Sequence, residues 1–427
     1  SEKIMMPPPD FSEGYWSSIS SPTGTSEGIN MIKPTECTVA GINIKTTAAG
    51  KKEDSLPFVR QELENVNRIL RERFKQEGFR YDRSVYNWAV SVVMQKVEAK
   101  GPNDDMSKNR IFFIVNLFIY LLFMGCFGPI IKYQNGRGNS CIGLKYFDGD
   151  AQRLYNEAKH FLEHSDWDFS LYDQSQLAHL IMESTASLMM YFKDDGSINF
   201  QILKHHAIYL VEQGMYKLVE FPDGEWRLSH GMNFSGGPDT TYTNDFIHAV
   251  LKNCHLLRTY MKANEVPDEK IKEAVRSYYN WMLEAHDFET MERRLRWKVV
   301  KYTFRTGGDD GFEHCADREI QQKIGIRPFM EYVKKWGMVI KDKNVHETSR
   351  FLSDLDKDGN LIKVQRQDAT GNMIYKPTGI TFYKRQFVMG MLNETTPVVV
   401  PFKSHEDYYW KYGRTPVRDS SNPLVQI

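Results

Sequence analysis

From Ile111 to Ile131 the chain carries no charged residue, and Arg110 and Lys132 bracket the stretch. A segment of that length either crosses a bilayer or is wrapped on all sides by a protein core. Asn116, Gly125, Gly128 and Pro129 interrupt it, and no other part of the chain is apolar on that scale. The expectation is a buried helix that continues into an apolar turn, without membrane insertion. A chain of 427 residues can build the large core this needs, or two to three smaller lobes.

The remaining organisation follows from periodicity and turn residues. Residues 1–56, rich in Pro, Ser, Thr and Gly, read as an extended arm. Helical spacing starts near Leu56, through Val59, Leu63, Val66, Ile69 and Leu70, and is expected again from Val85 to Val97. A helix over Asp150–His164 should precede a short strand at Trp167–Leu171, with a long helix at Ser175–Tyr191. Next come a hairpin around Lys217–Leu228, a Gly/Ser loop at Ser229–Pro238, and helices at Thr240–Ala263 and Asp268–Ala285. Trp297–Phe304 reads as a buried strand, and helices are expected near Asp317–Ile324 and Val333–Ile340. The tail from His346 is strand-rich, with hairpin turns at Asp356-Lys-Asp-Gly-Asn and Asp368-Ala-Thr-Gly-Asn.

Charge and cysteine usage narrow the function classes. The 55 basic and 55 acidic residues balance, which argues against a protein that coats nucleic acid with its whole surface. A local basic channel is still compatible with that balance. The five cysteines are scattered and form no Cys-x-x-Cys pair, so free thiols in a reducing compartment are expected rather than a disulfide framework or zinc site. The charged opening Ser1-Glu-Lys, soon followed by Pro7-Pro-Pro, does not have a secretory leader's pattern.

Three short motifs carry chemistry. Asp168-Phe-Ser-Leu-Tyr-Asp173 sets two carboxylates five residues apart, at a strand end and the following turn. Ser235-Gly236-Gly-Pro-Asp-Thr240-Thr-Tyr-Thr-Asn244 opens as a loop and becomes a helix, with Thr240 and Asn244 on one face. Gly308-Asp309-Asp310 occupies a tight turn. Alone, an Asp pair or a Gly-Asp-Asp turn is commonplace. In this order, about seventy residues apart, they suit nucleotidyl transfer. That reaction needs magnesium held by a few carboxylates, with positions left for water and phosphate. Asp168 and Asp309 are the expected direct ligands, with Asp310 as a supporting carboxylate. Asp173 and Asn244 would read the ribose, positioned by Ser235 and Thr240.

The set resembles the palm of viral RNA-dependent RNA polymerases, most closely the picobirnavirus and partitivirus group of double-stranded RNA viruses. Ser107-Lys108-Asn-Arg110, leading the apolar segment to Gly128-Pro-Ile-Ile-Lys-Tyr-Gln134, is similar to that group's fingers motif. The resemblance implies that Lys108 and Arg110 contact the triphosphate of the incoming nucleotide. Thr46-Thr-Ala-Ala-Gly50-Lys-Lys resembles loosely the motif that guides incoming template, without its usual Gly-Tyr-Pro core. Trp336-Gly-Met-Val-Ile-Lys341-Asp-Lys343 resembles the fourth palm motif, whose lysine protonates pyrophosphate; Lys341 is favoured over Lys343. Phe351-Leu-Ser and Phe382-Tyr-Lys-Arg385 both resemble the primer-gripping hairpin.

The family implies an α+β right-hand fold: fingers at 45–160 and 190–232, a palm with a small antiparallel sheet at 161–189 and 233–345, and a short thumb from 346. Residues 1–44 would be the arm. It also implies Mg2+, with Mn2+ as a substitute, and RNA template, RNA product and ribonucleoside triphosphates as partners. A viral capsid protein is a further partner, and the setting a virion interior or host cytoplasm. Alternatives are a positive-strand, picornavirus-like RNA polymerase, a reverse transcriptase and, more distantly, a non-enzymatic membrane-associated structural protein.

Other signals have simpler readings. Asp354-Leu-Asp-Lys-Asp-Gly359 looks like half of a calcium loop but has Gln365 where a bidentate Glu is wanted. Asn233-Phe-Ser and Asn393-Glu-Thr fit the glycosylation pattern. His205-His206 reads as a satisfied, half-buried pair rather than metal ligands. Arg293-Arg-Leu-Arg296-Trp-Lys298 is either an RNA contact or a solvated helix end.

Overall fold

The structure, a computed structural model, describes residues 5–19, 31–34, 44–47, 52–86, 89–95, 111–134, 139–263, 302–367, 371–383 and 385–403, with Pro267, Glu269 and Glu273 as isolated positions. The expected helix at Asp268–Ala285 and the basic cluster at Arg293 lie outside these residues. In chain order the elements begin with α1 (Tyr15–Ser18), β1 (Met31–Pro34), β2 (Ile44–Thr47), α2 (Lys52–Glu77), β3 (Val90–Gln95) and β4 (Ile111–Ile114). Next are α3 (Leu117–Gln134), α4 (Asp150–Ala158), β5 (Glu163–Ser170), α5 (Tyr172–Ser175), α6 (Ala178–Leu188) and α7 (Ile198–Met215). The hairpin β6 (Tyr216–Glu220) and β7 (Trp226–His230) leads into α8 (Thr240–Ala263). The second half holds β8 (Tyr302–Gly307), β9 (Asp310–Cys315), α9 (Arg318–Ile324), α10 (Ile326–Lys334), β10 (Val339–Ile340) and β11 (His346–Thr348). It continues with β12 (Lys363–Gln367), β13 (Met373–Pro377), β14 (Thr381–Phe382), β15 (Arg385–Met391) and β16 (Pro397–Phe402).

These α+β elements divide into two compact units interleaved in sequence. The first comprises Ser1–Met94, Phe112–Ser140 and Leu171–Leu295; the second comprises Gln95–Ile111, Cys141–Ser170 and Arg296–Ile427.

In the first unit the apolar segment begins as strand β4 and becomes helix α3, which runs through Pro129 to Gln134. Pro129 has no N–H to give the Gly125 carbonyl one turn back. Tyr15 Oη donates to that carbonyl instead, at 2.7 Å. Leu121, Leu122 and Phe127 on α3 pack with Leu63 of α2 and Ile202 of α7 in one core. Among the described residues no helix is long and apolar enough to cross a membrane.

The expected helix at Val85–Val97 is instead strand β3, parallel to β6 with Val90 opposite Leu218. β-branched Val90, Val92 and Val93 lose rotamer freedom in a helix and suit a sheet. Likewise, α2 already starts at Lys52, inside the segment expected to be irregular.

His205 and His206, adjacent on α7, are fully buried rather than half-buried. A main-chain N–H can only donate, so Asp82 N–H at 3.0 Å makes His205 Nε2 an acceptor and puts that ring's hydrogen on Nδ1. His205 Nδ1 then donates to Tyr86 Oη at 2.8 Å, and the tyrosine hydroxyl donates to His206 Nδ1 at 2.7 Å. His206 Nε2 ends the chain by donating to Asn67 Oδ1 on α2, at 2.8 Å. Both rings are neutral, burial pushing His205 down to about 4 and His206 well below the usual imidazole range.

The second unit contains a sheet in the order β10-β5-β9-β8, with β11 also paired to β5. β5 starts at Glu163, inside the expected helix, because His164 is drawn into register opposite His314 of β9. Its side chains alternate strictly. Ser165, Trp167 and Phe169 face the helices: Gln321 of α9 bonds Ser165, and Phe329 of α10 packs on both aromatic rings. His164, Asp166 and Asp168 therefore share the other face. Farther on, Asp356 Oδ1 accepts the N–H groups of Asp358 and Asn360, so this carboxylate closes its own turn. β12 and β13 pair as a hairpin, although the turn residues 368–370 lie outside the described ones.

Tyr86→Phe would strand His205 Nδ1–H and His206 Nδ1 inside the first unit. The variant is expected to lose about 2–6 kcal/mol of stability, from two unpaired groups at roughly 1–3 kcal/mol each. Urea unfolding checks this, and an unchanged midpoint would contradict the proposed chain of bonds.

Candidate active site

Asp168, third on the polar face of β5, lies directly opposite Asp310, the first residue of β9. Directly paired residues of an antiparallel ladder point to the same face, so the two carboxylates look in one direction. Asp309 sits just before Asp310 on the exposed turn between β8 and β9, and its carbonyl accepts from Phe169 N–H at 3.3 Å. Asp310 is thus the strand partner of Asp168, while Asp309 approaches from the turn. Burial, then the charges of Asp309, Asp168 and Asp166, push the Asp310 carboxyl up to about 8.

A supporting layer surrounds these carboxylates. Buried Asp166 accepts Thr381 N–H at 2.8 Å and His346 Nδ1 at 3.1 Å. The carboxylate only accepts, so the imidazole hydrogen is on Nδ1. Tyr383, in the left-handed region at φ 51°, donates its main-chain N–H to Asp310. Its ring leaves room only for glycine beneath it: a Cβ on Gly307 would lie 2.1 Å from Tyr383 Oη. Asn344 Nδ2 holds the Asp168 carbonyl at 3.1 Å. Of the two exposed lysines, Lys341 precedes the short helical turn Asp342–Asn344 and Lys343 lies within it. Burial pushes the Lys376 ammonium of β13 down, and the charges of Asp166, Asp168 and Asp342 oppose that shift.

Magnesium fits this donor set in one form only. Among the described residues no group of three or more His, Cys, Asp or Glu side chains could hold a metal ion by itself. Magnesium does not require one, since it takes one or two carboxylates and fills its remaining positions with water and phosphate oxygens. Burial is the larger cause of the raised Asp310, and an added cation would relieve the part that comes from the neighbouring carboxylates.

A second polar cluster lies in the first unit. Asn244, on the first turn of α8, donates from Nδ2 to Asp173 Oδ1 at 2.7 Å. Its Oδ1 accepts from Gln176 Nε2 at 2.6 Å and from Asn233 Nδ2 at 2.8 Å. Two donors on the oxygen and a carboxylate on the nitrogen leave the amide one orientation. Thr240 Oγ1 donates to the carbonyls of Phe234 and Gly237, closing the loop before α8. Ser235 and Gly236 are exposed at its tip. Gly236 packs so closely that a Cβ there would meet the Phe113 carbonyl at 2.2 Å.

Sequence reasoning named Asp173, Asn244, Thr240, Ser235 and Gly236 in this cluster and missed Gln176 and Asn233. Asn233 fits a glycosylation pattern, but it is 3% exposed and its amide nitrogen bonds Asn244 and the Thr240 carbonyl. At the carboxylates it missed Asp166, His346, Lys376 and Tyr383. The alternation His164-x-Asp166-x-Asp168 was a readable signal for the first of these. Lys108 and Arg110 lie outside the described residues. No protein-family model matches the chain, and no curated protein matches it.

Asp310 yields a pH test. Its folded value exceeds the unfolded one, so between 3.8 and about 8 the folded state holds the extra proton. Stability of the metal-free protein is therefore expected to fall as pH rises through that window, and Asp310→Asn should flatten the fall. Added Mg2+ should raise the unfolding temperature more near the top of the window. Thermal unfolding with EDTA or Mg2+ across the window checks both, and identical slopes for wild type and variant would refute the assignment.

Proposed function

We propose that the chain is a template-directed RNA polymerase of the picobirnavirus- and partitivirus-like kind, with a right-hand arrangement of fingers, palm and thumb. It would replicate and transcribe a viral RNA genome in a virion interior or host cytoplasm, with a capsid protein as a further partner. The observation that most supports this reading is the hydrogen bond between Asp173 and Asn244, 71 residues apart. An acceptor and an amide held together in this way can distinguish ribose from deoxyribose through the 2′-hydroxyl. The opposed carboxylates Asp168 and Asp310, with Asp309 beside them, add the acidic centre that nucleotidyl transfer needs.

In this reading Asp168 and Asp309 would hold Mg2+ or Mn2+ with Asp310 as a supporting carboxylate, and the ion when bound would neutralise phosphate charge and activate the RNA 3′-hydroxyl. Asp173 accepts a hydrogen bond from a ribose hydroxyl, and the second N–H of Asn244 donates to it. The exposed Ser235–Gly236 loop seats the incoming ribonucleoside triphosphate. Lys108 and Arg110 bind its phosphates. Lys341 delivers a proton to departing pyrophosphate.

Primer extension on an RNA template with Mg2+ and ribonucleotides tests the proposal. Asp168→Ala and Asp309→Ala are each expected to lower extension by at least about a hundredfold, as loss of a key electrostatic group does. Equal extension by wild type and Asp309→Ala would refute the mechanism, and a clear preference for deoxynucleotides would replace it with a reverse transcriptase.

A further inference from the structure

Asn233 reaches Asn244 by way of two successive left-handed residues, Gly231 at φ 76° and Met232 at φ 60°. Glycine adopts that conformation freely, whereas the methionine Cβ crowds the following carbonyl. Such a residue persists only where its surroundings over-determine it. Three main-chain bonds hold the nitrogen side of the turn: Gly231 N–H to Met215, Met232 N–H to Gln176, and Asn233 N–H to Asp173, at 2.9, 3.1 and 2.7 Å. The carbonyl side depends on a side chain. Lys217 Nζ, from β6, donates to the Met232 carbonyl at 2.8 Å.

Lys217 is itself tightly placed. Its ammonium also donates to the Gly214 carbonyl near the end of α7, and lies 5.0 Å over the Phe234 ring. Together with Asp239 and Asn233 it lines a cavity of about 40 Å³. Burial pushes its ammonium down to about 8, and the Asp239 carboxylate opposes that shift; charged or neutral, the nitrogen still donates.

We propose that Lys217 is a positioning residue for ribose selection: it holds the Met232 carbonyl, which keeps the left-handed turn closed and the Asn233 amide on Asn244. Without that bond Met232 relaxes toward negative φ, the peptide to Asn233 rotates, and Asn244 loses one of the two donors on its oxygen. Gln176 alone then orients the amide oxygen, and the bond to Asp173 is held less firmly. The proposal rests on Asp173 and Asn244 as the ribose-reading pair.

Lys217→Met keeps the length of the side chain and removes the donor, while Met232→Gly removes the strain the donor opposes. Primer extension with ribo- and deoxyribonucleotides reads the selectivity. In Lys217→Met the ribose preference should fall about tenfold, the size of one well-aligned hydrogen bond, with deoxynucleotide incorporation retained. In Lys217→Met/Met232→Gly the preference should return, a recovery that a general packing role for Lys217 does not produce. An unchanged preference in the single variant, or no recovery in the double, overturns the proposal. If Lys217→Met does not fold, the double variant decides: folded and selective supports the proposal, unfolded overturns it. Amide hydrogen exchange at Met232 and Asn233 is read in parallel. It should quicken in the single variant and slow again in the double, and unchanged exchange overturns the positioning role. That measurement needs no activity, so a wild type that extends no primer refutes the polymerase reading without deciding the role of Lys217.

Discussion

The antiparallel register of β5 against β9 is the constraint from which the chemistry of the second unit follows. With Asp168 opposite Asp310, alternation along β5 leaves Asp166 and His164 on the same face, opposite Phe312 and His314. A slip of one residue would turn Trp167 and Phe169 away from Phe329 and drive the carboxylates into the helices. Apolar packing on one side of β5 therefore enforces an acidic face on the other. That face is unfavourable by itself, as the raised Asp310 shows. It is tolerated because Asp166 Oδ2 accepts from both Thr381 and His346, and because the Trp167 side of the strand is well packed.

The first unit uses a different device, the convergence of several hydrogen bonds on one buried side chain. Asn244 and its neighbours hold one another in a single orientation, and the His205–Tyr86–His206–Asn67 chain does the same deeper in the unit. Both networks join residues distant in sequence, so they tie helices and loops together at points where apolar contact alone would let them slide.

Local chemistry was legible where a residue's role depends on its near neighbours. Thr240 and Asn244 share a face of α8 because helix geometry requires it, and α8 runs over the expected Thr240–Ala263. The hairpin around Pro222-Asp-Gly and the Gly-Asp-Asp turn likewise follow from turn residues. The stretch at Val90–Gln95 was misjudged because its valines satisfy helical spacing and strand propensity alike, and pairing with β6 decided between them. The role of Asn233 was passed over because its pattern with Ser235 is local, whereas its partners, Asn244 and the Thr240 carbonyl, are brought to it by the fold.

By itself, then, the sequence determined that Ile111–Ile131 is uncharged, that the acidic and amide motifs occur in one order, and that Asp168 and Asp173 are five residues apart. Spacing along a chain controls which side chains share a helix face or a turn, and nothing beyond that range. Only the tertiary structure decided that Asp310 is the strand partner of Asp168, that Asn233 and Gln176 orient Asn244, and that Lys217 braces a strained methionine. Those outcomes depend on strand register and on long-range hydrogen bonds, whose partners become neighbours only once burial of the apolar faces has brought their elements together.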